Sequence, residues 1–207
     1  MFLVRHGETD WNRQGRCQGV TDLELNQSGF RQAEEVAEYL RDEEIRFVYS
    51  SNLQRAFQTA QVICRPHGLT VNIEDNFREL DHGEFEGLTF AQIRAAYPDF
   101  IHRWREEPAE LRIPGGERLI DVAKRAWNGM DRIIQRQRSD ATVVVVSHNF
   151  PILAILCGVT RTHLHRYRSF RIDPCKVSHL SYTQSEGWRL VDPCLKEYSP
   201  TLDDSAI

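Results

Sequence analysis

Four short polar clusters in this 207-residue chain carry side chains able to do chemistry. They are Arg5-His6-Gly7-Glu8-Thr9 with Asn12, Ser50-Ser51-Asn52-Leu53-Gln54-Arg55, Arg78-Glu79-Leu80-Asp81-His82-Gly83, and Ser147-His148-Asn149. Those that follow strands would together supply two histidines and two arginines, His6, His148, Arg5 and Arg55, with at least one carboxylate. A phosphate monoester carries about −1.5 to −2 charges near neutral pH. Two guanidiniums, an imidazole and an amide would neutralise and orient it, and phosphoryl transfer depends mostly on positioning and charge stabilisation. A neutral imidazole can attack phosphorus and hold the phosphoryl group covalently, splitting one hard displacement into two easier ones. A partly desolvated carboxyl near the phosphate would have its pKa raised and could protonate the departing alkoxide.

Convergence of these clusters requires a particular scaffold. Residues 1–4, 47–49 and 142–146 are apolar or β-branched runs without alternation, as expected of strands buried on both faces of a parallel sheet. Apolar residues stepping by three or four (Phe30, Ala33, Ala37, Leu40; Leu53, Ala56, Ala60, Ile63; Leu119, Ala123, Ala126, Met130, Ile133) predict helices between them. Alternating strands and helices imply an α/β sandwich with helices on both faces. Residues 177–183 and 188–191 flank a turn ending in Gly187, which predicts an antiparallel edge hairpin and hence a mixed, mostly parallel sheet. Three of the polar clusters follow predicted strands, so parallel strands would present them at one carboxyl edge, where open α/β sheets hold ligands. Arg55 follows Ser50-Ser51-Asn52 at a helix start, where backbone N–H groups favour anions. From 79 to about 116 the pattern is irregular, with short helices near 89–97 and 99–106; it reads as a small helical cap within a single domain spanning 1–207.

Composition narrows the function classes. A 41% hydrophobic and 27% charged chain is neither low-complexity nor an acidic disordered tail, and its net charge of −4 argues against nucleic-acid or anionic-membrane partners. Only four residues precede Arg5, which leaves no apolar region for a signal peptide, and the run 150–157 is too short to cross a bilayer. Cys17, Cys64, Cys157, Cys175 and Cys194 are scattered without a C-x-x-C pair, which suits a reducing cytoplasm. There is no G-x-x-x-x-G-K-[ST] loop, no H-E-x-x-H pair and no G-x-S-x-G elbow, and no cysteine has an arginine six residues later.

Arg5-His6-Gly7-Glu8-Thr9 with Trp11-Asn12, Gln18-Gly19 with Asp22, Ser50-Ser51-x-Leu53-x-Arg55-Ala56-x-Gln58-Thr59-Ala60, Arg78-Glu79-Leu80-Asp81-x-Gly83-x-x-Glu86-Gly87, Pro114-Gly115-Gly116-Glu117 and Val146-Ser147-His148 occur in this order. The set resembles the histidine phosphatase superfamily, the phosphoglycerate mutase-like proteins, from residue 1 to about 160. The resemblance implies that His6 is the phosphorylated nucleophile. It implies that Arg5, Arg55 and His148 bind phosphate with help from Asn12, that Glu79 rather than neighbouring Asp81, Glu84 or Glu86 donates the proton, and that neither metal nor cofactor is needed. Gln18, Gly19, His82 and Asn149 are further substrate-binding candidates, Asn149 through its backbone N–H. His82 resembles its counterpart in the metal-independent phosphoserine phosphatases.

Three reactions fit these residues. The first is hydrolysis of a small phosphate monoester. The second is a mutase that returns the phosphoryl group to its substrate, and the third is non-catalytic binding of a phosphorylated ligand. Larger mutases carry Arg-Arg followed by Pro-Pro in the cap, whereas this chain has Arg103-Trp104-Arg105-Glu106-Glu107-Pro108, which favours hydrolysis. The nucleophile and acid are both present, which counts against the binding module. Trp104 is a recognition candidate because it lies in the cap. His163, His165 and the arginines of 161–171 read as a solvated face or subunit contact, and they and the edge hairpin each offer a surface for a homodimer.

Overall fold

The computed structural model describes residues 1–137 and 141–192, so Cys194 lies outside the described residues. Six strands form one mixed sheet: β1 (Phe2–Arg5), β2 (Ile45–Ser50), β3 (Val71–Ile73), β4 (Thr142–Ser147), β5 (Val177–Thr183) and β6 (Gly187–Asp192), in the order β3-β2-β4-β1-β5-β6. β3, β2, β4 and β1 pair in parallel, while β5 runs antiparallel to β1 and to β6. The expected edge hairpin is therefore present. β3 went unread in the sequence, because this three-residue edge strand is largely exposed and offers no apolar run.

Strand pleating sorts the core into two layers. Phe2, Val4, Val48, Val144 and Val146 face α2 (Gln27–Tyr39) and α3 (Gln54–Cys64), packing on Val36, Leu40, Ala56, Ala60 and Ile63. Leu3, Tyr49, Val143 and Val145 point the other way, into a cluster with α6 (Leu119–Arg136) and α7 (Asn149–Val159). The continuous valines of β4 are thus buried on both sides. α7 carries no helical period because Phe150 through Cys157 are all buried, so it has no polar face to reveal one. No helix among the described residues is long and apolar enough to cross a membrane.

The cap contains α4 (Phe90–Ala96) and α5 (Pro98–Glu106), close to the predicted bounds. Trp104 is 1% exposed, stacks on Phe100, and donates its Nε1–H to Tyr167 Oη at 3.1 Å. It is a core residue, not the recognition residue expected from its place in the cap.

A close backbone approach fixes the segment after β1. A Cβ on Gly29 would lie 2.2 Å from Glu8 O, and one on Gly7 would lie 2.5 Å from Gly29 O. Asn26 caps α2 and its Nδ2 also reaches Glu8 Oε1 at 2.7 Å, so the helix start and this loop are locked together. Gly29→Ala is expected to destabilise the fold by about 1–3 kcal/mol, read as a lowered urea midpoint; an unchanged midpoint would show that the loop yields freely.

Candidate active site

β1, β2 and β4 end at one edge of the sheet, with Arg5 registered beside Ser147 and Ser50 beside Val146. His6 follows β1 directly, and its backbone N–H bonds Ser147 O at 2.9 Å. Its ring Nδ1 lies 2.7 Å from Gly7 O. A carbonyl only accepts, so Nδ1 carries the ring hydrogen and Nε2 keeps its lone pair. Burial, with the charges of Arg55 and Arg5, holds the His6 pKa well below its ordinary value, so the ring is neutral near pH 7. Gly7 N–H in turn donates to Thr59 Oγ1 of α3 at 3.1 Å, which ties this loop to the neighbouring helix.

His148 is fully buried, with its ring centroid 5.0 Å from that of His6. Its Nε2 meets Ser51 Oγ at 2.6 Å, and Ser51 Oγ accepts the Leu53 N–H at 3.4 Å. The arrangement that satisfies all three groups has the Ser51 hydroxyl donating to Nε2 and the ring hydrogen on Nδ1. That Nδ1 has no protein partner among the described residues. Burial and Arg55 keep His148 neutral as well.

Both arginines are held by carbonyls. Arg55 reaches Gly19 O at 2.6 Å and Thr21 O at 3.0 Å, and Arg5 reaches Ile172 O at 2.5 Å. The Nε of each is buried without a partner among the described residues. Burial lowers the Arg55 pKa to about 10, which leaves it a cation at neutral pH. At the N-terminus of α3, Asp22 Oδ1 takes the Gln54 N–H at 2.7 Å, so that donor is not open to an anion.

Glu79 is 4% exposed. Its Oε1 accepts from Leu80 N at 2.9 Å and Phe150 N at 3.1 Å, and its Oε2 from Asn149 N at 3.0 Å. Burial raises its pKa above the ordinary carboxylate value, against the opposing pull of these N–H groups, Arg55 and Arg5. The neighbouring acids are otherwise engaged: Glu86 takes the Val20 and Thr21 N–H groups, Asp81 that of Gly83, and Glu84 the Tyr97 hydroxyl. The Asn149 N–H, expected to face phosphate, is given to Glu79 instead.

A cavity of about 420 Å³ lies beside this cluster, with Arg5, Asn12 and Glu79 in its wall. Asn12 Oδ1 accepts the Thr9 N–H at 3.1 Å in a reciprocal cap of α1 (Asp10–Arg13). Gln18, His82 and Asn149 also line it. Gln18 Nε2 and His82 Nδ1 are buried without partners among the described residues, and burial lowers the His82 pKa to about 4. Gly19 does not line the cavity. A Cβ there would meet Leu80 O at 2.5 Å, so its part is to let two loops touch while its carbonyl holds Arg55.

Sequence reasoning missed two contributions. Arg125 on α6 donates to Asn76 O at 3.0 Å, to Arg78 O, and to Glu79 O at 2.8 Å, while paired with Glu117 at 3.0 Å. It clamps the segment that carries Glu79, and no local motif marks it. Arg168 and Arg171, read in the sequence as a solvated face or subunit contact, line the cavity together with Tyr167 and Phe170.

The model of the "Histidine phosphatase superfamily (branch 1)" matches residues 1–194. Phosphoserine phosphatase 1 of Hydrogenobacter thermophilus is 36% identical over 178 residues, covering 86% of this chain and 84% of that protein. Phosphoglycerate mutase-like protein 4 of Arabidopsis thaliana is 34% identical over 195 residues, covering 93% and 80%. A solved structure of mycobacterial glucosyl-3-phosphoglycerate phosphatase with inorganic phosphate superposes with a TM-score of 0.82 at 31% identity, covering 93% of this chain and 96% of that one.

Two outcomes follow from this geometry. Breaking the half-buried Arg125–Glu117 pair by Arg125→Met is expected to cost about 3 kcal/mol and to speed hydrogen exchange at the Leu80 and Asp81 amides; unchanged exchange there would remove Arg125 from its clamping role. Acidification is expected to destabilise the fold, because between pH 6.5 and about 4 the unfolded chain protonates His82 and the folded one does not. That single group accounts for about 3 kcal/mol below pH 4. His6 and His148 act in the same direction, while Glu79, with its raised pKa, opposes them. Urea midpoints at pH 7 and pH 5 read the slope, which His82→Gln should flatten.

Proposed function

The chain belongs to the histidine phosphatase superfamily, branch 1, and from that premise we propose that its phosphatase reaction runs through a phosphohistidine on His6. The enzyme is a phosphoric monoester hydrolase of small phosphorylated metabolites. The observation that carries the mechanism is the 2.7 Å contact from His6 Nδ1 to Gly7 O, which leaves a neutral Nε2 lone pair beside two buried guanidiniums.

In the proposed first step Nε2 attacks phosphorus, forming the N–P bond as the ester O–P bond breaks. Arg5, Arg55 and the free Nδ1–H of His148 hold the equatorial oxygens, with Asn12 Nδ2 as a further donor from the cavity wall. Their charge acts where it develops in the transition state. Glu79 gives its proton to the departing alkoxide. Oε2 is the oxygen suited to carry it, since it accepts one N–H where Oε1 accepts two. In the second step water attacks phosphorus, the N–P bond breaks back to Nε2, and the water's proton passes to Glu79. This restores both groups and releases phosphate.

Arg5 and Arg55 supply the positive charge that the transferring group needs, so the reaction as proposed uses no metal. Gln18 and His82 line the cavity with buried nitrogens that have no partner among the described residues, which supports a role for them in meeting the alcohol portion of the substrate. Four described cysteines carry free thiols, in keeping with a reducing cytoplasm as the proposed compartment.

Phosphate release by the purified chain in excess chelator tests this reading. His6→Ala should lower turnover by at least about 10⁴-fold without loss of fold; near-normal activity would sink the nucleophile. Glu79→Gln should slow alkyl phosphates by about 10²–10⁴-fold and aryl phosphates far less, since their leaving groups need no proton. Equal losses on both would take Glu79 out of the acid role.

A further inference from the structure

Beyond the phosphate-binding cluster, the cavity has an outer wall that the proposed reaction does not use. Tyr167 and Arg168 reach it from a short 3₁₀ segment, Leu164–Ser169, between α7 and β5. Tyr167 is 3% exposed, and its hydroxyl takes the Trp104 Nε1–H, so its ring is fixed in the core. The Arg168 guanidinium lies over that ring at 4.8 Å from the centroid. A cation stacked on an immobile aromatic face is oriented before any ligand arrives, with its planar N–H fork still available.

The charges facing this wall do not cancel. Arg168 has no carboxylate partner among the described residues. Arg16 also lines the cavity, held by Gly87 O at 2.6 Å and Gln14 Oε1 at 2.8 Å, neither of which neutralises it. Arg171 is paired with Asp173 at 3.4 Å. Of the lining carboxylates outside the catalytic cluster, Asp173 is therefore matched, and Glu8, held by the neutral Asn26 amide at 2.7 Å, keeps its charge. Three arginines against these two acids leave one positive charge in excess, with Arg16 and Arg168 the cations not paired to a carboxylate among the described residues and Phe90, Phe150, Leu153 and Phe170 forming the apolar surface.

We propose that Arg168, with Arg16, forms a second anion subsite, so that the preferred substrate is a phosphate monoester whose alcohol bears another acidic group, a carboxylate or a second phosphate. This rests on the phosphomonoesterase reading above and names the substrate class for that site. Planar and tetrahedral oxyanions both accept a guanidinium fork in bidentate fashion. The apolar surface would cover the carbon skeleton between the two acids.

The test is kcat/KM of the full chain on matched pairs: phosphoserine against phosphoethanolamine for the carboxylate, and propane-1,3-diol bisphosphate against its monophosphate for the second phosphate. p-Nitrophenyl phosphate serves as a reference without a second acid. The wild type should prefer the more acidic member of at least one pair by about 10–100-fold, the worth of one or two charge-assisted hydrogen bonds. Arg168→Gln should reduce that ratio about tenfold, with Arg168→Lys between them. Which pair responds identifies the second acid. No preference in the wild type, or a ratio that Arg168→Gln and Arg168→Lys leave unchanged, overturns the subsite while p-nitrophenyl phosphate turnover keeps the phosphatase reading. Absence of turnover on every substrate overturns both.

Discussion

Two guanidiniums buried beside two neutral imidazoles, with one carboxylate among them, are the constraint around which the rest of this protein is arranged. Removing a cation from water costs several kcal/mol unless it is paired or hydrogen-bonded. Here Arg5 and Arg55 are hydrogen-bonded, but to the carbonyls of Ile172, Gly19 and Thr21 rather than to acids. Carbonyls fix a guanidinium without cancelling its charge. The positive field survives burial, adds to burial itself in lowering the pKa of His6 and His148, and leaves Nε of both arginines and Nδ1 of His148 as donors with no acceptor among the described residues. Such a group of donors favours an anion over any neutral ligand, and does so in a low-dielectric setting where each interaction counts for more than in water.

Holding that arrangement requires backbone from distant parts of the chain, which is what a parallel sheet provides. His6 and Ser147 sit on adjacent strands, Gly7 is tied to Thr59 of α3, and Glu79 rests on the start of α7 through the Asn149 and Phe150 N–H groups. The helix end gives Glu79 partial positive charge, which favours its ionised form, while burial favours the neutral one. Burial wins, and the net upward displacement of its pKa suits the proposed role of giving up a proton and later taking one back. Arg125, gripping the carbonyls on either side of that balance, keeps the loop from relaxing away from α7.

Much of this was legible in the residues. The three buried strands announce themselves as unbroken apolar runs, and His6, Arg55 and His148 follow their carboxyl ends in the sequence. Glu79 was singled out by resemblance, and it differs from Asp81, Glu84 and Glu86 in being buried and in lining the cavity. The illegible parts share a cause. Arg125, Ser51 and Arg168 act through partners 46, 97 and, for the Trp104–Tyr167 contact under Arg168, 63 residues away in sequence. No periodicity or short motif encodes such contacts. Trp104 misled for the same reason: a tryptophan in an irregular cap looks available until Tyr167 and Phe100 are seen to enclose it.

The division between what could and could not be read follows the division of labour in the molecule. The groups proposed to act on phosphorus stand at or beside strand ends, where the sheet dictates their spacing and the surrounding sequence must be apolar. The outer cavity wall is assembled from Arg16 before the first long helix, His82 and Phe90 in the cap, and Tyr167 to Pro174 ahead of the edge hairpin. The first two segments are joined by backbone bonds, the Cys17 N–H donating to Leu88 O at 2.8 Å and the Gly87 N–H to Cys17 O at 2.9 Å, yet none of the three segments lies within β1, β2 or β4, so they can vary while those strands stay. A scaffold built in this way can keep one reaction while its loops select different alcohols. Discrimination among substrates then depends on the charge and shape of that wall, not on the strength of the phosphate grip, which every monoester would feel alike.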